Sequence, residues 1–329
     1  MKPLLDIKNL HVSFLSHGQM LHAVSGIDFS LYEGETLGIV GESGCGKSAT
    51  AKAITRLLPL AASKLSGEIW YEGEDLLSFP EKKMQSIRGK EIGMIFQDPM
   101  TSLNPTLKIG TQILEGYRKH HPHISYGEAL DYTIHMLELV GIAQPAERIH
   151  CYPHTLSGGM RQRVMIAIAL ACKPKILIAD EPTTALDVTI QAQILQLMKD
   201  VQLKMQTSII LITHDLSVIA GLCDRVLVMY AGKVVENATV EDLFYRPQHP
   251  YTQRLLQAIP KINLSPDDPL IPIEGVPPNL TESIEGCAFY PRCPSAMKIC
   301  RQKQVPLLQI EEKHFSRCWK HARSLSICD

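Results

Sequence analysis

A glycine-rich loop between an apolar strand and a helix constrains the fold of this chain more than any other feature. Residues 41–48 are GESGCGKS, which fits the pattern G-x-x-x-x-G-K-[ST]. The run TLGIV at 36–40 predicts a buried parallel strand before the loop, and a helical pattern begins near Lys47. In this setting glycines let successive backbone N–H groups point into one concavity, to which the helix N-terminus adds its positive dipole end. The sequence therefore predicts a phosphate-binding loop at the edge of an α/β sheet.

The polar residues of this loop suit a nucleotide with its magnesium ion. Lys47 supplies a positive charge to the outer phosphates, and the Ser48 hydroxyl can ligate Mg²⁺. A glycine-rich turn that matches by chance is the alternative, and the flanking strand and helix disfavour it. The residues predicted to bind nucleotide here are Gly41, Ser43, Gly44, Cys45, Gly46, Lys47, Ser48 and Ala49.

A second apolar strand ends in two acidic residues. The run ILIA at 176–179 leads directly into Asp180 and Glu181. An acid at the end of a buried parallel strand lies at the ligand edge of the sheet, so we expect Asp180 to hold the Mg²⁺ shell. Glu181 is then placed to polarise an attacking water molecule. Two solvated acids that open a loop are the alternative, which the independent phosphate loop disfavours.

The remaining pattern predicts an α/β fold with a parallel-sheet core. Short alternating apolar segments at 10–14 and 27–31 predict a small antiparallel β subdomain. Residues 110–171 hold no strong strand candidate and indicate a helical insertion. After about Pro247 prolines and then cysteines dominate, which indicates an appendage with little periodic structure. Further buried-strand candidates are 92–96, 208–213 and 225–229.

Composition excludes several classes of protein. The net charge of -1 over 329 residues gives no general attraction for nucleic acid, so no nucleic-acid partner is expected. The longest apolar runs, at 164–172 and 209–213, are much shorter than the roughly 20 residues that span a bilayer. The start MKPLLD lacks the apolar stretch of a signal peptide, which predicts a cytoplasmic location.

A second glycine pair identifies the family. Residues 156–163 are LSGGMRQR, and two glycines after a serine at a helix start form an anion-binding end. With the loop at 41–48 and the acids at 180–181, the chain resembles the ATP-binding subunits of ABC transporters. The resemblance implies that Ser157, Gly158 and Gly159 contact the γ-phosphate held by another subunit, so that ATP lies between two chains. Met160 is the one departure, since glutamine is commoner there in the family.

The same resemblance implies roles for single residues in other parts of the chain. Phe14 matches the aromatic residue that stacks on adenine, and Gln97 matches the glutamine that senses Mg²⁺ and the membrane partner. Asp187 closes the run TALD at 184–187, which crosses the dimer interface. His214 follows the strand at 209–213 and matches the switch histidine that contacts the γ-phosphate. The implied catalytic residues are Glu181, His214 and Gln97, and the implied Mg²⁺ ligands are Ser48, Gln97 and Asp180.

Within the family, the chain is most similar to the ATP-binding subunits of bacterial oligopeptide and dipeptide permeases. The runs that carry this similarity are FQDPMTSLNP at 96–105, DEPTTALDVT at 180–189 and HPYT at 249–252. They imply a nucleotide-binding domain at 1–245, with a helical subdomain at about 98–171, and an extension of the oligopeptide-permease type at 246–329. The implied function is ATP hydrolysis that energises the uptake of oligopeptides or dipeptides.

Other members of the ABC superfamily remain as alternatives. Close relatives transport nickel or are assigned to antimicrobial-peptide resistance. A non-transport ABC ATPase of translation or repair is disfavoured, because one cassette accounts for residues 1–245 and the insertion between Gln97 and Leu156 is short. A kinase that used the same phosphate loop would leave the glycine pair at 158–159 unexplained.

The resemblance also implies partners and a place in the cell. We expect a heterodimer with a paralogous ATPase subunit, two membrane permease subunits and a periplasmic or lipoprotein substrate-binding protein. The chain would then be peripheral, on the cytoplasmic face of the inner (plasma) membrane.

Four cysteines near the end of the chain lie close together in sequence. Five of the nine cysteines follow residue 286, and four of them are spaced C-x₅-C-x₆-C-x₁₇-C in a proline-rich segment. Such a set is suited to a thiolate-bound centre that orders the segment. Disulfides conflict with a cytoplasmic location, and the spacing lacks the C-x₂-C pairs of a zinc ribbon. The four are Cys287, Cys293, Cys300 and Cys318.

The metal that these thiols would hold is not fixed by spacing. The family resemblance favours a [4Fe–4S] cluster, with Zn²⁺ and free thiols as alternatives. Cys328, one residue from the end, is not expected to be a ligand. We expect the nucleotide site itself to be built wholly from the first 245 residues.

Overall fold

The computed structural model describes residues 2–16, 18–184, 186–259, 272–282 and 284–322. Its strands are β1 (Leu5–Ser16), β2 (Gln19–Leu31), β3 (Thr36–Val40), β4 (Ser63–Tyr71), β5 (Glu74–Asp75), β6 (Ile92–Ile95), β7 (Ile176–Asp180), β8 (Ser208–Thr213), β9 (Arg225–Tyr230), β10 (Lys233–Thr239), β11 (Leu308–Glu311) and β12 (His314–Ser316).

Helices alternate with these strands over most of the chain. They are α1 (Lys47–Ile54), α2 (Glu81–Ile87), α3 (Pro99–Ser102), α4 (Ile109–His120), α5 (Tyr126–Leu139), α6 (Pro145–Arg148), α7 (Gly158–Leu170), α8 (Val188–Met205), α9 (Leu216–Leu222), α10 (Val240–Tyr245), α11 (Pro250–Gln257) and α12 (Lys298–Gln302). Within the described ranges, no helix combines the length and apolar character that crossing a membrane requires.

One compact unit, here called the signature unit, comprises Leu31–Thr36 and Ser78–Ile212 with the first residues of the chain. Three parallel strands form its sheet in the order β8, β7, β6, with Ile92 opposite Ile176 and Ile176 opposite Ser208. Every residue of β7 and β8 is buried, and the strands are apolar except for Asp180, Ser208 and Thr213 at their ends. Helices α2 to α8 belong to this unit.

The other compact unit, here called the phosphate-loop unit, comprises Leu4–Ser30, Leu37–Leu77 and the residues from Thr213 onward. Its β3 pairs in parallel with β9, and β10, β12 and β11 continue that sheet in antiparallel order. A second sheet has the order β2, β1, β4, β5, and β1 and β4 run antiparallel. β3 is buried throughout, as the run TLGIV predicts.

The α/β fold class is therefore confirmed, with parallel strands in both units. The predicted strands at 36–40 and 208–213 have those bounds, and the strand predicted at 92–96 ends one residue earlier. The stretch at 110–171 is helical, as expected.

The residues after Pro247 hold more regular structure than their composition indicates. Helix α11 begins at Pro250, where proline fits the first turn, and the His249 side chain caps it by accepting from Tyr251 N–H. Strand β12 pairs with β10, with Glu236 opposite Ser316. The carboxylate of Glu236 is fully buried and accepts from the ring of His314 and from the backbone N–H groups of Gln248 and His249. These hydrogen bonds fix residues 248–249 and strand β12 against β10.

Candidate functional site

The phosphate loop curls around the ammonium group of Lys47. Its Nζ donates to the carbonyl oxygens of Gly41 at 2.7 Å and Glu42 at 3.1 Å, and the side chain is only 5% exposed. Cys45 is also buried beside the ammonium, and burial raises the pKa of its thiol. The ammonium therefore holds both ends of the predicted anion-binding turn in one conformation.

Gly46 allows the turn from the loop into α1. Its φ is 105°, in the left-handed region that favours glycine, and it is the N-cap of α1. A Cβ atom at this position would lie 2.3 Å from the carbonyl oxygen of Ala23. Of the remaining predicted nucleotide contacts, Ser43 and Gly44 are exposed, and Ser48 and Ala49 are half-buried at the start of α1.

The loop has contacts with the C-terminal part of the chain. The backbone N–H of Glu42 donates to the hydroxyl of Tyr251, and its carboxylate pairs with Arg292. Both partners lie beyond residue 245. The loop, which the sequence analysis placed in the first 245 residues, is therefore also held by residues of the C-terminal part of the chain.

Glu181, in the signature unit, has a strained backbone and a fixed carboxylate. Its φ is 48°, which is unusual for a residue other than glycine, asparagine or aspartate. Its N–H donates to Ile212 O at 2.9 Å, while its Oε2 accepts from Gln97 Nε2 and Thr184 Oγ1, each at 3.0 Å. Such strain persists only where the surroundings over-determine it, and it clusters at functional sites.

The structure thus brings two predicted catalytic residues into contact, although they are 84 residues apart in sequence. Gln97 lies just beyond β6, and Glu181 lies just beyond β7, which pairs with β6 in parallel. Neighbouring parallel strands end at the same sheet edge, which accounts for the contact. Asp180, the last residue of β7, is 3% exposed.

The LSGG run forms the start of α7 in the signature unit. Ser157 is the N-cap, and its hydroxyl accepts from Met160 N–H at 3.3 Å. A Cβ atom on Gly159 would lie 2.8 Å from Ile190 Cγ2, so a larger residue would push against α8. Asp187 caps α8 by accepting from Ile190 N–H at 2.9 Å. Ser157, Gly158 and Asp187 are all exposed, as residues that meet a second chain would need to be.

Two predicted site residues lie in the phosphate-loop unit outside the loop itself. Phe14 is half-buried on β1, opposite Ser63 of β4. His214 is exposed and directly follows β8. The predicted Mg²⁺ ligands are divided between the units, with Ser48 in the phosphate-loop unit and Gln97 and Asp180 in the signature unit.

The four cysteines at 287–318 line one cavity in the phosphate-loop unit, together with His249 and Phe289. Cys287 N–H donates to Cys300 O at 2.7 Å. Burial, with a smaller contribution from the other three thiols, raises the pKa of Cys287 to about 11. Among the residues that the structure describes, no group of three or more His, Cys, Asp or Glu is arranged to hold a metal ion. Cys328 lies outside the described residues.

The sequence analysis missed two contacts of the phosphate loop, from Tyr251 and Arg292. Tyr251 lies in the run HPYT at 249–252, which the sequence analysis used for the family resemblance, and Arg292 directly precedes Cys293. They lie 209 and 250 residues from Glu42 along the chain. No local spacing pattern indicates contacts over such distances.

Two family models match the chain. The model described as "ABC transporter" matches residues 24–184, and the model described as "Oligopeptide/dipeptide transporter, C-terminal region" matches residues 235–300. The first range holds the phosphate loop, the LSGG run and Glu181, and the second ends at Cys300.

Curated proteins are similar over nearly the whole chain. The oligopeptide transport ATP-binding protein OppD of Bacillus subtilis (strain 168) is 54% identical, over 96% of this chain and 88% of the relative. The dipeptide transport ATP-binding protein DppD of the same organism is 51% identical, over 97% of this chain and 95% of the relative. A solved dimeric structure of the ATP-binding cassette MJ0796 in a post-hydrolysis state, bound to ADP and Pi, superposes with a TM-score of 0.65. It is 26% identical and covers 72% of this chain and 98% of its own.

Proposed function

We propose that this chain, which belongs to the ABC transporter family as an ATP-binding subunit of the oligopeptide/dipeptide type, energises the uptake of oligopeptides or dipeptides across the cytoplasmic membrane. One observation carries the proposal: identity of about half of all residues to oligopeptide and dipeptide subunits extends through the C-terminal region as well as the cassette. A role as the ATPase of a nickel or antimicrobial-peptide transporter of the same family is the second candidate.

ATP binding follows from the chemistry of the phosphate loop. The buried Lys47 ammonium stabilises the outer phosphates, and the backbone N–H groups of the loop at the start of α1 donate to them. Ser48, Asp180 and Gln97 are the residues that would supply oxygen ligands to Mg²⁺, which would neutralise charge on the phosphates. Phe14 stacks on the adenine ring. These oxygen donors are of the kind that Mg²⁺ prefers.

Hydrolysis uses the carboxylate of Glu181. With Oε2 held by Gln97 and Thr184, the carboxylate keeps one orientation and can accept a proton from the water that attacks the γ-phosphate. His214 contacts the same γ-phosphate, so this contact is lost when the phosphate is released. Holding the base in place before the reaction lowers the reorganisation that the transition state requires.

Transport uses two ATPase chains. The exposed starts of α7 and α8, at Ser157 and Asp187, face a paralogous ATPase subunit, and the glycine pair at 158–159 binds the γ-phosphate held by that subunit. Closure of the two chains on ATP moves two membrane permease subunits, which receive peptide from a periplasmic or lipoprotein binding protein. The chain is therefore peripheral at the cytoplasmic face of the membrane. Residues 1–245 act as the cassette, with the helical part at about 98–171 toward the permease, and 246–329 as the extension.

Reconstitution tests this assignment. The chain alone should be a weak ATPase, because its LSGG run lacks the paralogous partner, whereas the complex with permease subunits and paralogue should hydrolyse ATP when the binding protein carries peptide. Peptide accumulation in proteoliposomes that depends on ATP is the readout. Uptake of Ni²⁺ without peptide uptake would favour the second candidate, and full ATPase activity in a stable homodimer would contradict the heterodimer.

For the four cysteines at 287–318 we infer an iron–sulfur centre, with Zn²⁺ as the alternative. Four thiols that line one cavity in a segment rich in proline support this inference. The described residues do not adopt the arrangement of a metal site, so binding would need their thiols to deprotonate and turn toward one another. The centre would tie together the four cysteines and the segments that carry them.

The metal is tested on anaerobically purified protein. An iron–sulfur centre predicts a brown protein with broad absorption near roughly 400 nm and about four irons per chain, both lost in Cys293→Ser. Cys151→Ser, which changes a half-buried cysteine of the signature unit, is the matched control and should keep the colour. Stoichiometric zinc without iron would show that the centre holds zinc and not an iron–sulfur cluster. A metal-free protein whose C-terminal region resists protease would contradict a metal centre of either kind.

A further inference from the structure

Arg292 has a guanidinium group that joins the phosphate loop to residues outside it. Its Nη1 and Nη2 form a fork with the carboxylate of Glu42, at 2.8 Å to Oε2 and 3.1 Å to Oε1. Nε donates to Glu274 O at 2.9 Å, Nη2 also donates to Ile273 O at 3.1 Å, and Nη1 lies 3.3 Å from the hydroxyl of Tyr230. The Arg292 side chain is only 5% exposed. A planar guanidinium bound in this way fixes the position of every group that it touches.

Tyr251 holds the same loop residue by its backbone. The Glu42 N–H donates to the Tyr251 hydroxyl at 2.9 Å. Tyr251 is fully buried and packs on Tyr230 and Phe289, with ring centroids 4.6 and 5.3 Å away. Burial raises the pKa of Tyr251, so the hydroxyl stays neutral. Both the backbone and the side chain of Glu42 are thus held by residues that follow the cassette in sequence.

Glu42 links these contacts to the predicted phosphate-binding group. Its carbonyl oxygen accepts from Lys47 Nζ at 3.1 Å, while its carboxylate accepts from Arg292. A shift of Glu42 would therefore move one of the two carbonyl groups that hold the ammonium of Lys47. All of these residues belong to the phosphate-loop unit.

The carboxylate of Glu42 also carries a charge that opposes phosphate binding. It lies in the second position of a loop that takes up a polyanion, where an unpaired negative charge would repel the ligand. The fork with Arg292 neutralises that charge and holds the carboxylate against the Arg292 guanidinium.

We propose that Arg292 is a positioning residue for ATP binding, which acts through Glu42 to hold the phosphate loop in its binding conformation. The C-terminal region is then part of the nucleotide site. The proposal rests on the proposed function, since it takes the loop to bind ATP. Arg292 lies next to Cys293, but a metal centre at the four cysteines does not account for the contacts of Arg292 with Glu42.

Arg317 is the matched control. It is a half-buried arginine of the same unit, and it donates from Nε to Val234 O at 3.0 Å and from Nη1 to Val305 O at 2.9 Å. The hydrogen bonds described for Arg317 join β10 to the C-terminal region, and none of them reaches the phosphate loop. Arg317→Gln therefore measures what is lost when the C-terminal region is loosened without a direct effect on Glu42.

The experiment measures the affinity of the full chain for MgATP by titration with a fluorescent ATP analogue, together with the melting temperature. Arg292→Gln should weaken binding on the order of tenfold, because it leaves the Glu42 carboxylate without its partner. Arg317→Gln should lower the melting temperature and change the affinity by no more than about twofold. Equal affinity losses in the two variants, or wild-type affinity in Arg292→Gln, would overturn the proposal.

A double variant separates positioning through Glu42 from general damage. In Glu42→Gln/Arg292→Gln both partners of the fork are changed, so affinity should fall no further than in Arg292→Gln alone. Losses that simply multiply in the double variant would contradict action through Glu42. If Arg292→Gln does not fold, Arg292→Lys keeps the charge without the fork and should weaken binding by roughly threefold; unchanged affinity there would overturn the proposal as well. Failure of the wild-type chain to bind ATP would instead defeat the proposed function.

Discussion

Lys47 and Arg292 are two buried cations of the same unit whose partners lie at very different distances along the chain. The Lys47 ammonium is held by carbonyl groups five and six residues before it, whereas the Arg292 guanidinium is held by a carboxylate 250 residues before it. Short-range partners require a fixed spacing, which the sequence records as a motif. Long-range partners require only that the fold brings two side chains together, so their spacing is free to vary.

The phosphate loop and the C-terminal region differ in the same way. The loop at 41–48 obtains its shape from its own glycines and from the helix that follows it, as Gly46 illustrates. The region at 272–322 obtains its shape largely from other parts of the unit: β12 pairs with β10, and the fork of Arg292 reaches Glu42. We therefore expect large effects from local catalytic residues and smaller, coupled effects from the C-terminal contacts.

The largest effect is expected at Glu181. Glu181→Gln should leave ATP binding close to wild type and lower hydrolysis by about a hundredfold or more, because an amide cannot accept the proton of the attacking water. Single-turnover hydrolysis and nucleotide titration on the reconstituted complex give the two values separately. Equal losses of binding and turnover would contradict the assignment of Glu181 as general base.

Lys47→Ala should have the next largest effect, on binding itself. Removing the ammonium should weaken MgATP binding roughly 10- to 100-fold, the range expected when a charged hydrogen-bond donor is lost. Titrating Lys47→Ala and Arg292→Gln with MgATP in parallel shows which of the two buried cations contributes more to binding. If Arg292→Gln bound MgATP more weakly than Lys47→Ala, the long-range contact of Arg292 would matter more for binding than the short-range contacts of Lys47.

Tyr251→Phe should have the smallest effect. It removes only the hydroxyl that accepts from Glu42 N–H and keeps the packing on Tyr230 and Phe289. Loss of one neutral hydrogen bond predicts an affinity change of about threefold. Phe289→Leu, which disturbs the packing and keeps the hydroxyl, is the control for the same readout. A tenfold loss of MgATP affinity in Tyr251→Phe would mean that the hydrogen bond from Glu42 N–H, rather than the Arg292 fork, is the main contribution of the C-terminal region to binding.

Much of the fold follows from local pattern. The buried strands at 36–40, 176–180 and 208–213 are nearly continuous apolar runs, so each can be recognised from the sequence with errors of a residue at most. The contact of Gln97 with Glu181 also follows from pattern, because each residue comes just after a parallel strand and the two strands are neighbours. The C-terminal elements α11 and β12 were not predicted, since prolines and short apolar runs hide their periodicity.

The phosphate loop, the acidic strand end, the LSGG helix start and the cysteine spacing can be recognised in the sequence, because each of these depends on residues within a few positions of one another. The left-handed backbone of Glu181 and the contacts of Glu42 with Tyr251 and Arg292 become visible only in the folded chain. The physical reason is that such contacts owe their energy to groups buried together by the whole fold, and a chain records no spacing for partners that are 209 and 250 residues apart.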